Sequence, residues 1–149
     1  MRPAVDDYFM DMARLAARRA TCARRSVGCV LVDQRRHVLA TGYNGVAAGM
    51  PHCNEGHPCS GACAPSGTRL DECEAIHAEQ NALLQCRDVN AIDVAYVTVF
   101  PCITCTKLLL NTSCRRIVTL TDYSDHHGRL LWIRAGREVT FNGLKEGDT

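Results

Sequence analysis

Four residues in two short segments have the types and spacing to build a reactive metal centre: His77 and Glu79 in HAE, and Cys102 and Cys105 in PCITC, which begins at Pro101. Zinc takes imidazole nitrogen and thiolate sulfur in tetrahedral geometry, and three protein ligands leave its fourth position open to water. His77, Cys102 and Cys105 supply such a set. A CxxC at the start of a helix turns both sulfurs toward one point, and the positive end of the helix dipole favours their ionised form. Glu79 lies two residues beyond the histidine, within reach of a water on the metal without itself being a ligand. The chemistry open to this set is hydrolysis. A divalent cation lowers the pKa of water from 15.7 toward ~7, and the carboxylate carries the proton from nucleophile to leaving group. A closed zinc site that only staples the fold would need a fourth ligand, and a redox CxxC would leave His77 and Glu79 without a task. Alone, His77 would read as a core histidine and Glu79 as a solvated helix charge; together with the paired cysteines they argue for catalysis.

Elements must bring these two segments together. From Asp6 to about Thr21, Phe9, Met12, Leu15 and Ala16 recur at helical spacing, predicting an amphipathic helix that closes one face of a sheet. VGCVLVD (Val27 to Asp33) and HVLATGYNG (His37 to Gly45), joined by QRR, read as a hairpin. Periodicity then vanishes from Val46 to Arg69. It returns over Leu70 to Arg87 as a helix, with Ile76, Ala78, Ala82, Leu83 and Cys86 as its apolar stripe. VAYVTVF (Val94 to Phe100) is an apolar strand stopped by Pro101. A helix from Ile103 to about Thr112 and the strand RIVTL (Arg116 to Leu120) follow, and a short helix over Gly128 to Ile133 and a strand over Glu138 to Phe141 close the pattern. Helices alternating with buried strands predict a layered α/β domain with parallel pairings.

At 149 residues the chain fits one domain, 1–149, with 46–73 as a Cys/His-rich insert. Seventeen basic against sixteen acidic residues leave a net charge of +1, which gives no general attraction to nucleic acid or to anionic membrane. One Trp, four Tyr and three Phe are few for a stacking platform, so no polynucleotide substrate is expected. No apolar run approaches the ~20 residues that span a bilayer, and the amphipathic start lacks a signal-peptide core; the expectation is a cytoplasmic protein. Ten cysteines in such a chain favour metal over disulfides. Cys22, Cys29, Cys86 and Cys114 stand singly among apolar or helical residues and read as buried structural thiols. In the insert, Cys53, Cys59, Cys63 and Cys73 are candidates for a second, structural zinc, with His52 or His57 as substitutes; incidental thiols in a loop are the plainer alternative. His126 and His127, adjacent in a polar turn, read as solvent-facing.

H-x-E followed by P-C-x-x-C is a known signature of zinc nucleobase deaminases. With RRSVGCVLV, ATGYNG, GMPHC, HAEQNALLQC and FPCITCTKLLL in order over roughly two thirds of the chain, the sequence resembles the deoxycytidylate (dCMP) deaminase family of the cytidine deaminase-like superfamily. HAE and PCxxC belong to the whole superfamily. GYNG with HAEQNA and PCxxCxK is what points to dCMP. The resemblance implies a three-layer α/β/α fold around a five-stranded mixed sheet, a homohexamer, and hydrolysis of dCMP to dUMP and ammonia. It implies that Asn44 contacts the sugar or base, and that Arg25, Ser26 and Tyr123 serve the 5'-phosphate. It also implies that Gly42, Tyr43, Asn44 and Gly45 border a regulatory site where dCTP activates and dTTP inhibits in the presence of Mg2+. Bland readings stand beside these: Arg24 and Arg25 as an exposed pair, Asn44 as a turn residue, Tyr123 as packing. Other substrates of the same chemistry are dCTP, cytidine and tRNA adenosine; a noncatalytic zinc or nucleotide module would have little use for Glu79.

Overall fold

The computed structural model describes residues 1–22, 24–54, 56, 65 and 73–143. Five strands, β1 (Gly28–Val32), β2 (Val38–Tyr43), β3 (Val94–Val99), β4 (Arg116–Thr121) and β5 (Glu138–Phe141), form one sheet in the order β2-β1-β3-β4-β5. β1 pairs antiparallel with both β2 and β3, whereas β3, β4 and β5 run parallel. Four helices accompany them: α1 (Val5–Ala17), α2 (Ala78–Gln85), α3 (Ile103–Leu110) and α4 (His127–Arg134).

Alternation along the central strands decides the layering. Cys29, Leu31, Ala95, Val97 and Ile117 face a core shared with Ala78 and Ala82 of α2, Leu109 of α3 and Trp132 of α4. The intervening Val30, Val32, Val94, Tyr96 and Val118 face Phe9, Met10 and Ala13 of α1. Every residue of β1 is therefore buried, as expected for strands covered on both sides. Fully burying side chains such as Leu31, Ile117 and Leu109 stabilises by about 1.5–3 kcal/mol each. The three-layer α/β/α arrangement with a five-stranded mixed sheet is the expected one.

Two elements differ from expectation. The buried face of α1 is Phe9, Met10 and Ala13, while Leu15 is 62% exposed. Gly28 explains the rotation: a Cβ there would lie 1.9 Å from the Ala13 carbonyl oxygen, so the helix backs onto β1 through its small Ala13 side. The helix expected from Leu70 begins only at Ala78; residues 70–72 lie outside the described residues. Ile76 cannot join it, because its N–H and C=O are both committed to Gly45 (2.8 and 3.1 Å) in an isolated bridge. Asp6 ties α1 to the sheet, accepting from Tyr96 Oη (2.7 Å) and from both terminal nitrogens of Arg116 (2.9 and 3.0 Å). Among the described residues no helix is long and apolar enough to cross a membrane.

Candidate active site

Both halves of the metal-binding set sit where a helix begins. His77 immediately precedes α2, and Cys102 immediately precedes α3, just past the carboxyl end of β3. Extended backbone at each position (ψ 154° and 169°) turns the chain from its approach into the helix. The Gln80 side chain reaches back to accept the His77 N–H at 2.8 Å, fixing the backbone that carries the imidazole. Three contacts through GYNG hold α2 and the residue leading into it, and the remaining residue, Asn44, braces GYNG itself. Gly45 bridges Ile76; Asn81 Nδ2 donates to the Tyr43 carbonyl at 2.8 Å. A Cβ on Gly42 would lie 2.2 Å from the Ala78 carbonyl and 2.6 Å from the Ala82 nitrogen, so only glycine lets α2 lie this close to β2. Asn44 contributes from within the loop: its Oδ1 accepts from Val27 N–H (2.8 Å) and its Nδ2 donates to the Arg25 carbonyl (2.7 Å).

His77 Nδ1 stands 3.5 Å from Cys102 Sγ and 3.3 Å from Cys105 Sγ. Among the described residues these three form the one group of His, Cys or acidic side chains whose ligand atoms all lie within 4.8 Å of one another. Tetrahedral zinc, with Zn–S near 2.3 Å and Zn–N near 2.0–2.1 Å, places nitrogen and sulfur about 3.6 Å apart. The donor atoms and their spacing thus fit zinc, coordinated through Nδ1. The Cys102 thiol is lowered to about 4, chiefly by the hydrogen bond from Cys105 and also by His77. Cys105 is pushed up by the same hydrogen bond and by burial. His77 is raised, first by its hydrogen bond to Cys102. Glu79, only 4% exposed, has its carboxyl raised by burial, as befits a group that takes up and releases protons.

A pocket of about 590 Å³, including its mouth, opens beside these residues and brings His77, Glu79 and Cys102 together with Arg25, Asn44 and Tyr123. The Arg25 guanidinium carbon lies 5.7 Å from the centre of the Tyr123 ring, and its Nη1 is buried with no hydrogen-bond partner among the described residues. Ser26 is exposed and is not part of the wall. Cys22, Cys73, Arg24 and Phe100 also line the pocket. Cys22 and Arg24 carried no functional signal in the sequence beyond, for Arg24, its neighbour Arg25. Cys29 and Cys114 are buried and Cys86 half-buried, none in a disulfide. In the insert, Cys53 is buried and His52 Nδ1 is buried with no hydrogen-bond partner among the described residues, while Cys59, Cys63 and His57 lie outside them.

Among the described residues, three ligand groups, a buried carboxyl group and an adjoining pocket form an open metal centre of the hydrolytic kind. The chain belongs to the cytidine and deoxycytidylate deaminase family, whose zinc-binding region matches residues 3–121. It is 42% identical over 142 residues to the deoxycytidylate deaminase of Schizosaccharomyces pombe, covering 93% of this chain and 44% of that one. It is 38% identical over 122 residues to the deoxycytidylate deaminase of Mycobacterium phage D29, covering 78% of this chain and 94% of the phage protein. The chain thus spans less than half the length of the fission yeast relative but nearly all of the phage one. In fold it is similar to the dCMP deaminase of cyanophage S-TIM5 crystallised with dCMP and dUMP, at TM-score 0.72 and 24% identity, over 95% of this chain and 98% of that one.

Proposed function

We propose that this chain is a zinc-dependent enzyme that hydrolyses dCMP to dUMP and ammonia, supplying the precursor of dTTP. The observation that carries the proposal is the convergence of His77, Cys102 and Cys105 beside a pocket that His77, Cys102 and the buried Glu79 line. When bound, zinc would supply Lewis acidity that makes water a competent nucleophile near neutral pH. Glu79 accepts one proton of the attacking water and delivers it to the ring nitrogen, then takes the remaining hydroxyl proton and delivers it to the amine, so that the C–N bond breaks as the carbonyl forms. Arg25 holds the 5'-phosphate: its Nη1 is a buried donor awaiting an acceptor, and guanidinium suits phosphate by geometry as well as charge. Tyr123 backs the guanidinium with its ring. Asn44 lines the pocket and keeps one amide hydrogen and one lone pair beyond its two backbone partners, which it can offer to the nucleoside. The relatives named deoxycytidylate deaminases favour this substrate.

The test follows loss of cytosine absorbance with dCMP, dCTP, cytidine and deoxycytidine. Glu79→Gln is expected to lower turnover of dCMP by about 10³-fold while zinc content is unchanged. Turnover of nucleosides but not of dCMP would overturn the substrate assignment.

The same reading extends to one domain with 46–73 as an insert ordered by a second zinc on Cys53, Cys59, Cys63 and Cys73. His52 Nδ1, next to Cys53 in sequence and buried with no partner among the described residues, supports a metal there. Metal analysis would then find two zincs per chain, and a value firmly at one removes the idea. By family resemblance the enzyme is a cytoplasmic homohexamer, activated by dCTP and inhibited by dTTP with Mg2+ at Gly42 to Gly45. Velocity curves unchanged by both nucleotides would refute the regulation.

A further inference from the structure

We infer that Asp122 is a positioning residue that holds the phosphate end of the pocket in its binding geometry, an inference resting on the reading of Arg25 and Tyr123 given above. Tyr123 follows β4 in a stretch without regular secondary structure, so neither a sheet ladder nor a helix fixes it. Asp122 does so instead. Its Oδ1 accepts the Tyr123 N–H at 2.9 Å, while its Oδ2 accepts Arg129 Nε at 2.5 Å and faces His126 Nδ1 at 2.8 Å. The carboxylate is thus shared by the backbone of the pocket residue and two side chains around the start of α4.

That helix is a firm anchor. Trp132 is fully buried in the core, with its indole N–H donating to the Glu138 carbonyl at 2.7 Å. Gly128 lies so close to α3 that a Cβ would stand 2.7 Å from Thr106 Oγ1 and 2.8 Å from the Pro101 carbonyl. Position is therefore transmitted from the turn bearing Cys102, through α4 and Arg129, to Asp122 and on to Tyr123, whose ring backs Arg25. Hydrogen bonds to an ionised acceptor are the strong ones. An amide in place of the carboxylate can keep the Oδ1 bond but turns an NH2 group toward Arg129 Nε, donor against donor. The loop then loses its tie to α4, and the Tyr123 ring no longer confines the guanidinium.

Because this chain of contacts ends at the phosphate-binding group and not at the base, its loss is read in binding of the phosphate. The experiment compares wild type, Asp122→Asn and Arg129→Gln with dCMP and with deoxycytidine, with zinc content and thermal unfolding measured alongside. Asp122→Asn is expected to raise KM for dCMP about tenfold with kcat within about twofold, and to leave kcat/KM for deoxycytidine within about twofold. Arg129→Gln moves KM for dCMP in the same direction, and it carries the test should Asp122→Asn fail to fold. An equal loss with both substrates, or an unchanged KM for dCMP, overturns the inference. Wild type that does not discriminate dCMP from deoxycytidine would sink the phosphate reading itself, and that result is visible before any variant is made.

Discussion

Replacing Gly42 with alanine adds one methyl group at the place where α2 lies against β2. Its nearest neighbours would be backbone atoms at 2.2 and 2.6 Å, where ordinary contact begins at 3.4 Å. Backbone cannot swing aside as a flexible side chain can, so the helix must retreat by roughly 1 Å. Two costs follow. Overpacking at a buried site destabilises by about 1–3 kcal/mol, and Ala78 and Ala82, at 1% and 0% exposure, leave no slack to absorb the shift. The second cost falls on the metal centre, because α2 carries Glu79 and follows His77, while Cys102 and Cys105 stand on a different helix. A displacement of ~1 Å between reacting groups costs about 10²-fold in rate. Gly42→Ala is therefore expected to lower kcat/KM about 100-fold, to weaken zinc retention against a chelator, and to shift the urea midpoint downward. Wild-type activity and zinc retention in a folded Gly42→Ala protein would refute the reasoning. They would also leave GYNG free for a purely regulatory role.

Arg137 donates to the carbonyls of Leu109, Leu110, Thr112 and Cys114 (2.7–3.3 Å) and stacks on Trp132, capping the carboxyl end of the helix whose other end bears the cysteines. Arg137→Met is expected to cost about 2–3 kcal/mol in urea unfolding, since several half-buried carbonyls lose a charged donor; a loss below about 0.5 kcal/mol would mean that water replaces it freely. Asp6 has its carboxyl held below the ordinary 3.8, first by the hydrogen bond from Arg116. The pH-dependent stability from this group is complete above pH 3.8 and is lost as pH falls through the lowered native value. Wild type should accordingly exceed Asp6→Asn in unfolding free energy near neutral pH and converge with it in acid; a gap independent of pH would contradict the assignment.

The strands and the metal ligands were legible in the sequence because each rests on a short-range signal. VAYVTVF and RIVTL are apolar and β-branched over their whole length, and β5 falls on Glu138–Phe141 as expected. HAE and PCITC place donors at fixed offsets from a helix start, so their convergence needed only the two helix starts to meet. What could not be read depends on contacts distant in sequence. Periodicity alone put Leu15 inward, whereas the approach of Ala13 to Gly28 turned it outward. Ile76 looked like part of a helical stripe until its backbone paired with Gly45. Asp122 is one acidic residue in a polar turn, and nothing local shows that Arg129 and the Tyr123 backbone share it.

The pattern behind these cases is that the site is built where two helices begin, and everything added around it keeps those two beginnings in register. A helix start offers a positive field, which favours thiolate at Cys102. That field fixes charge state but not distance, and zinc demands nitrogen and sulfur a few ångströms apart from elements that are not neighbours in sequence. Distance is set by close backbone approach, through Gly42 against α2 and Gly128 against the start of α3. Glycine thus serves here mainly by having no side chain: neither Gly42 nor Gly128 has a positive φ, in contrast to Gly49, Gly56 and Gly136. Substitution at the first pair should therefore damage zinc binding. At Gly49 or Gly136, where a Cβ meets nothing within 4 Å, the cost should be confined to backbone strain and leave the centre intact.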